Sequence, residues 1–365
     1  MKRIVIDARI SGTTTGRYID KLIEHMHNLK LGYDIILLTK PHRVDFYRKL
    51  APEFTVVASP YKEFSFGEQL GLWWQIRKLK PGLVFFTMTQ QPLLCSGPIV
   101  TTIHDLTTLR FENPSKNRLV FWFKQLVYKF VTRQVAKKSK KIITISKYVK
   151  SDIVAYTGIS PDKITVIYEA ADRITEPATA IKDLVGVSYI MYVGRPLPHK
   201  NLRQLIDGFV LVQQSHPELC LVLAGQKDHL YKRHERYARD KNIKNVIFTG
   251  FVSEGQLRWL YENTRAYIFP SLSEGFGLPG LEAMMHHAPV ISSNATCLPE
   301  IYKDGAYYFD PHNPSDIAEK IIEVIDDKTL RSELAARGNR TAKGYSWHNT
   351  AQQTLEVFKS ILKSF

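Results

Sequence analysis

Short, unbroken apolar runs recur along this chain, separated by longer stretches in which apolar positions return every three or four residues. KRIVIDA, DIILLTK, LVFFTM, IVTTIH, KIITIS and ITVIYE fall between residues 2 and 169. Each is continuous rather than alternating, as expected of strands covered on both faces of a parallel sheet. A second series, SYIMYVG, LCLVLAG, NVIFTG, AYIFPS and PVISSN, follows between residues 188 and 294. The stretch between them, AADRITEPATAIKDL, is polar and carries Pro177, which suits a linker. Alternating strands and helices specify parallel sheets with right-handed crossovers, so the predicted fold class is α/β, with two doubly wound, Rossmann-like domains in series. Ligands of such sheets bind beyond the carboxyl ends of the strands, and a cleft between two facing domains is the expected site.

A length of 365 residues and a hydrophobic content of 44% fit two domains with full cores. Cys95, Cys220 and Cys297 are widely spaced and form no C-x-x-C pair, so neither a disulfide framework nor a zinc site is expected, and the redox reading is a reducing cytosol. The opening MKRIVIDAR shows no apolar leader core, and no run reaches the roughly 18 apolar residues of a spanning helix. Charge changes the picture more. Residues 1–173 carry 28 Lys and Arg against 14 Asp and Glu, and residues 174–365 carry 22 against 21, so almost all of the net +15 belongs to the first half. Residues 110–150 alone hold 12 basic side chains and one acidic one, Glu112.

Two motifs carry candidate chemistry. EGFGLPGLEAMM, residues 274–285, follows the strand AYIFPS and sets Glu274 and Glu282 on either side of a glycine-proline turn. Pro279 suits the first turn of a helix, whose free N–H groups and dipole favour a phosphate. A carboxylate on each side of bound phosphates can accept hydrogen bonds from paired sugar hydroxyls, one from a ribose and one from the sugar beyond a diphosphate. The plainer reading is a helix-terminal charge at Glu282 and a loop cap at Glu274. YVGRPLPHKN, residues 192–201, places Arg195 and Lys200 around a tight turn after the first strand of the second series. A planar guanidinium and a compact ammonium match a diphosphate and would stabilise charge growing on a departing nucleoside diphosphate.

These pieces, with DAR and the following Gly12 and Gly16 in SGTTTGRY, IHDL, TISKYVKSDI, VIYEAAD, LVLAG, IFTGFVSEGQL, PVISSN, LPEI and GYSW, resemble the GT-B glycosyltransferases of the retaining family four, particularly its mannosyltransferases, across essentially the whole chain. The resemblance implies a hexosyltransferase moving a sugar from a nucleoside diphosphate sugar, with GDP-mannose favoured over UDP-glucose, onto a glycan or lipid-linked acceptor. It implies diphosphate contacts for Arg195 and Lys200, a contact of Glu274 with the transferred sugar, and ribose binding by Glu282. The backbone of Gly275, Phe276, Gly277 and Leu278 would meet sugar and phosphates, Phe251 and Val252 the base, and Gly16 the diphosphate. His104, at the end of IVTTIH, would lie beside the sugar and acceptor in a positioning and charge-contact role. Family domains would run over 1–172 plus 346–365 and over 173–345, because such chains return the closing helix to the first domain. No D-x-D occurs, so no metal and no further cofactor are expected. The sequence departs from the family in the threonines of SGTTTGRY, in His199 before Lys200, and in Glu169-Ala170-Ala171 where asparagine-glycine is usual.

The basic region has two readings. In residues 116–138, Leu119, Phe123, Leu126, Val127, Phe130 and Val131 recur at helical spacing and are predicted to face the core. Phe121, Trp122 and Tyr128 remain, interleaved with Lys124, Lys129 and Arg133. Residues 116–150 then suit either an anionic partner, be it a membrane surface at the inner face met by a cytoplasmic protein or a lipid-diphosphate acceptor, or a solvated basic face. A nucleic-acid-binding α/β protein is the rival from another class, and the chain has no motif for it, so no nucleic acid is expected. An NAD enzyme is disfavoured because no G-x-G-x-x-G follows the first strand.

Overall fold

The computed structural model describes residues 2–363 apart from 14, 30–31 and 112–117, with the backbone alone at 118–121 and 123. The chain divides into two compact units, one of Met1–Arg110, Pro114–Glu169 and Ser346–Phe365, the other of Phe111–Asn113 and Ala170–Tyr345.

The first unit is built on β1 (Arg3–Asp7), β2 (Asp34–Thr39), β3 (Thr55–Ala58), β4 (Leu83–Phe86), β5 (Ile99–Thr102), β6 (Lys141–Thr144) and β7 (Ile164–Val166). They form a parallel sheet in the order β3-β2-β1-β4-β5-β6-β7. β4 and β5 are buried at every position, the signature of strands covered on both faces. Helix Arg17–Met26 buries Tyr18, Ile19, Leu22, Ile23 and Met26, a spacing that makes one apolar face. It packs on the closing helix, Trp347–Lys363, whose Phe358 meets Phe85 of β4 edge-on at 5.0 Å.

The second unit repeats the plan with β8 (Tyr189–Val193), β9 (Cys220–Ala224), β10 (Val246–Gly250), β11 (Tyr267–Phe269), β12 (Val290–Ser293) and β13 (Ala306–Phe309). Its parallel order is β10-β9-β8-β11-β12-β13. Helix Leu202–Val212 packs on helix Pro314–Asp326, and a Cβ on Gly208 would press within 3.1 Å of Ile317, so the glycine sets how closely the two approach.

Two strands exceed the sequence expectation. β3 and β13 are both edge strands of four residues, and each is only partly buried. An edge strand pairs on one side only and needs no long apolar run, so its sequence signal is weak.

The long basic helix, Arg118–Lys138, corrects a second expectation. Leu126, Val127 and Phe130 are exposed rather than in the core, and Trp122 is 64% exposed. Burial is concentrated near its end, at Thr132, Val135 and Ala136. The helix is apolar or aromatic around much of its circumference, so spacing alone does not identify the covered face. Leu119, Phe121 and Phe123, named from the sequence, lie outside the described side chains.

Candidate functional site

In the second sheet the chain leaves β8 and its neighbour β11 toward opposite edges, which opens a crevice at the carboxyl ends of these strands. The loop after β8 passes through Gly194 and Arg195, turns at Pro198–Lys200, and enters the next helix through Asn201 in the left-handed region, φ 58°. Lys200 N–H donates to Leu197 O at 2.8 Å, and Leu272 N–H donates to His199 O at 2.7 Å, which ties this loop to the one after β11. Asn201 Nδ2 donates to Pro311 O at 2.8 Å and fixes its far end. The outcome is a close ion pair: Lys200 Nζ lies 2.5 Å from Glu274 Oε1, both largely buried. Arg195 points its Nε at Asp228 Oδ2, 2.8 Å away, and remains 51% exposed. Asp228 also caps helix His229–Asp240 by accepting from Leu230 N and Tyr231 N. Burial alone would raise the Asp228 carboxyl; the Tyr231 N–H and the Arg195 guanidinium hold it below its ordinary value.

The glycine-proline turn follows directly. Gly277 adopts φ 94° and precedes helix Leu278–Met285, with Pro279 in the first turn. Added Cβ atoms would lie 2.5 Å from the Tyr302 hydroxyl at Gly277 and 2.3 Å from it at Gly280, so both positions exclude side chains. That hydroxyl donates to Gly277 O and locks the turn. Glu274 N–H donates to Thr296 Oγ1 at 3.2 Å. Glu282 is buried on the helix, and Phe276 is buried edge-on against Tyr345 at 5.5 Å. Phe251 and Val252 follow edge strand β10, two strands from β8, and Phe251 is 82% exposed. The structure therefore gathers Arg195, Lys200, Glu274, Gly275, Phe276, Gly277, Leu278 and Glu282 on two adjoining loops and the helix that follows the second, with Phe251 and Val252 farther along the same edge.

Gly16 and His104 belong to the first unit. Gly16 begins helix Arg17–Met26, and a Cβ there would fall 2.1 Å from Ile10 O. Gly12 takes φ 77°. Asp20 braces this turn by accepting from Ser11 Oγ and Tyr47 Oη, both at 2.6 Å, and from Arg43 Nη2 at 3.1 Å. His104, just past β5, sets Nδ1 3.2 Å from Glu169 Oε1 and Nε2 3.0 Å from Thr87 O. Burial alone would lower its pKa, and Glu169, the Thr87 carbonyl and Asp105 together more than offset this, so the pKa is raised.

Comparison with known proteins gives this geometry a lineage. Residues 15–173 match the family model Glycosyltransferase Family 4, and residues 183–341 match Glycosyl transferases group 1. O-antigen chain mannosyltransferase B of Escherichia coli is 31% identical over 274 residues, which are 71% of this chain and 70% of that protein. The chain belongs to the group 1 glycosyltransferases. Another relative, O-antigen chain mannosyltransferase RfbU of Salmonella typhimurium, is 26% identical over 88% of this chain and 90% of its own. Among solved structures, sucrose-phosphate synthase of Thermosynechococcus elongatus superposes with a TM-score of 0.77 at 15% identity, covering 100% of both chains. HepE of Anabaena, solved with UDP and glucose, gives 0.72 at 17% identity over 99% of this chain and 100% of its own. The fold is that of the GT-B glycosyltransferases, two parallel-sheet Rossmann-like domains.

The contacts of three residues escaped the sequence reading. Asp228, which aims Arg195, stands directly before a helical pattern and carries an N-cap signal. Glu169, which holds His104, was visible only as a departure from the family. Glu68 joins Asp7 around the buried Arg9, and nothing local in the sequence marks that contact.

Proposed function

We propose that this glycosyltransferase moves mannose from a nucleoside diphosphate sugar, GDP-mannose being favoured, to a glycan or lipid-linked acceptor, with retention and without a metal. The observation that carries the reading is the pairing of Lys200 with Glu274 beside Arg195 at the switch point of the second sheet. In this reading the diphosphate recruits Lys200 and the exposed part of Arg195, and both stabilise the charge that grows as the glycosidic bond breaks. Glu274 takes the hydroxyls of the transferred sugar, Glu282 those of the ribose, and the backbone from Gly275 to Leu278 approaches phosphates and sugar. Phe251 and Val252 serve the base, Gly16 admits the diphosphate, and His104 gives a charge contact. A front-face displacement, in which the departing phosphate assists deprotonation of the acceptor, needs no carboxylate nucleophile. Mannose is supported by the names of the two O-antigen relatives, and the absence of D-x-D supports independence of metal.

HepE, solved with UDP-glucose, supports UDP-glucose as the second donor reading. A turnover screen of nucleotide sugars, with and without chelator, tests the choice. GDP-mannose should react fastest, unaffected by chelator, and give an α product by NMR. Preference for UDP-glucose, loss of turnover with chelator, or an inverted product would each contradict the corresponding part.

The acceptor side is proposed to meet an anionic membrane surface, from the cytoplasmic side. Support comes from the basic helix and from a second stripe in the same unit, where Phe66, Leu70 and Trp74 are exposed while Glu68, Leu72 and Ile76 are buried. Lys78 Nζ lies 3.3 Å from the centre of the Trp74 ring. Exposed aromatics flanked by cations suit the headgroup boundary. Among the described residues no helix is long and apolar enough to cross a membrane. Replacing Phe66, Leu70 and Trp74 by serine should abolish sedimentation with anionic vesicles; undiminished sedimentation would exclude the stripe. Binding to oligonucleotides in place of vesicles would favour the nucleic-acid class.

A further inference from the structure

The two partners of His104 constrain its proton count. Thr87 O is a backbone carbonyl and can only accept, so Nε2, 3.0 Å away, must carry hydrogen. Glu169 Oε1, 3.2 Å from Nδ1, belongs to an almost fully buried carboxyl group. If that group is ionised it too can only accept, and Nδ1 carries hydrogen as well. A neutral imidazole could meet both partners only if Glu169 held the proton as an undissociated acid. Asp105, adjacent in the chain, also favours charge on the ring. Tyr18 of helix Arg17–Met26 approaches edge-on, with ring centres 4.7 Å apart, and burial keeps its hydroxyl protonated. None of these neighbours supplies a competing cation.

We propose that Glu169 is a positioning residue that holds His104 as a fixed imidazolium, both N–H groups committed, so that His104 supplies positive charge and cannot act as a base. The proposal rests on the proposed function for its kinetic consequence, and on the two hydrogen bonds together with the neighbouring carboxyl groups of Glu169 and Asp105 for the protonation state. It explains what the departure at Glu169 does in this chain: a carboxylate stabilises the ring charge, whereas an amide would offer only a neutral bond. The sign for pH follows. The folded-state pKa of His104 is raised, so the charged form and its contribution are complete below the ordinary histidine range and are lost as pH rises through the folded value. Transfer should therefore show an alkaline limb set by His104.

The test is nitrogen-15 NMR of histidine-labelled full chain, with the His104 signals identified by their loss in His104→Gln, beside pH profiles of kcat. In the wild type both ring nitrogens should be protonated at pH 7 and remain so above the ordinary histidine range. In Glu169→Gln the titration should move to lower pH, the alkaline limb should move with it, and turnover at pH 7 should fall about tenfold. Glu169→Asp, which keeps the charge, should restore most of both. A neutral His104 at pH 7 in the wild type would overturn the proposal, even if neither Glu169 variant folds. So would an unmoved titration in folded Glu169→Gln. Absence of turnover with every donor would count against the proposed function and leave the NMR result to decide the ion pair.

Discussion

Two arginines occupy equivalent places in this molecule, each two residues past the first strand of its sheet. Arg9 follows β1, which ends at Asp7, and Arg195 follows β8, which ends at Val193. Both are held by carboxylates, yet their surroundings are opposite. Arg9 is 0% exposed and donates to Asp7 Oδ1 at 2.9 Å and Oδ2 at 2.8 Å, to Glu68 Oε1 at 2.9 Å and to Tyr61 O at 3.1 Å. Its charge is spent inside the protein. Arg195 makes one ion pair through Nε and keeps half its surface in water. Each sheet thus carries a cation at the end of its first strand, and burial separates the one enclosed within the fold from the one left open to solvent, for which we propose a ligand.

The largest effect should come from the buried arginine. Arg9→Leu leaves Asp7 and Glu68 as two buried carboxylates without their cation, a loss of about 3 to 5 kcal/mol, read as a lowered denaturation midpoint. Arg195→Ala should change stability by less than about 0.5 kcal/mol. If the two substitutions destabilise the chain equally, the comparison breaks.

Turnover should reverse the ranking. Arg195→Ala and Lys200→Ala should each reduce kcat about 100-fold, equivalent to about 2.7 kcal/mol of transition-state stabilisation, while the chain stays folded. Near-normal kcat in both would remove the diphosphate assignment. A finer cut lies one residue further out. Asp228→Asn retains a side chain that caps helix His229–Asp240 and removes the charge that aims Arg195. Stability should hardly move, and kcat should fall by about threefold to tenfold. A kcat as low as that of Arg195→Ala would make Asp228 more than a brace.

Much of this architecture was legible because buried parallel strands write themselves as continuous apolar runs. Among the described residues, eleven of the thirteen strands follow such runs, and the two that do not, β3 and β13, lie at sheet edges where half the pairing is missing. The loops of the second unit were legible as well, since Gly277 and Gly280 cannot carry side chains beside Tyr302 and leave a fixed spelling. Contacts between distant segments were not. Glu68 reaches Arg9 across 59 residues and Glu169 reaches His104 across 65, and no local pattern announces either. The covered face of the basic helix was also hidden, because apolar side chains at Leu126, Val127 and Phe130 look like core whether or not anything covers them.

In the proposed function the glycine-proline turn divides a nucleotide sugar between two carboxylates, and calorimetry with GDP-mannose and free GDP tests that division. Glu282→Gln should weaken both ligands by roughly 1 to 3 kcal/mol, since each retains the ribose. Glu274→Gln should abolish most transfer while leaving GDP affinity undiminished, because GDP lacks the sugar and the substitution frees Lys200 from its 2.5 Å partner. Equal losses of GDP affinity in both variants would contradict the division.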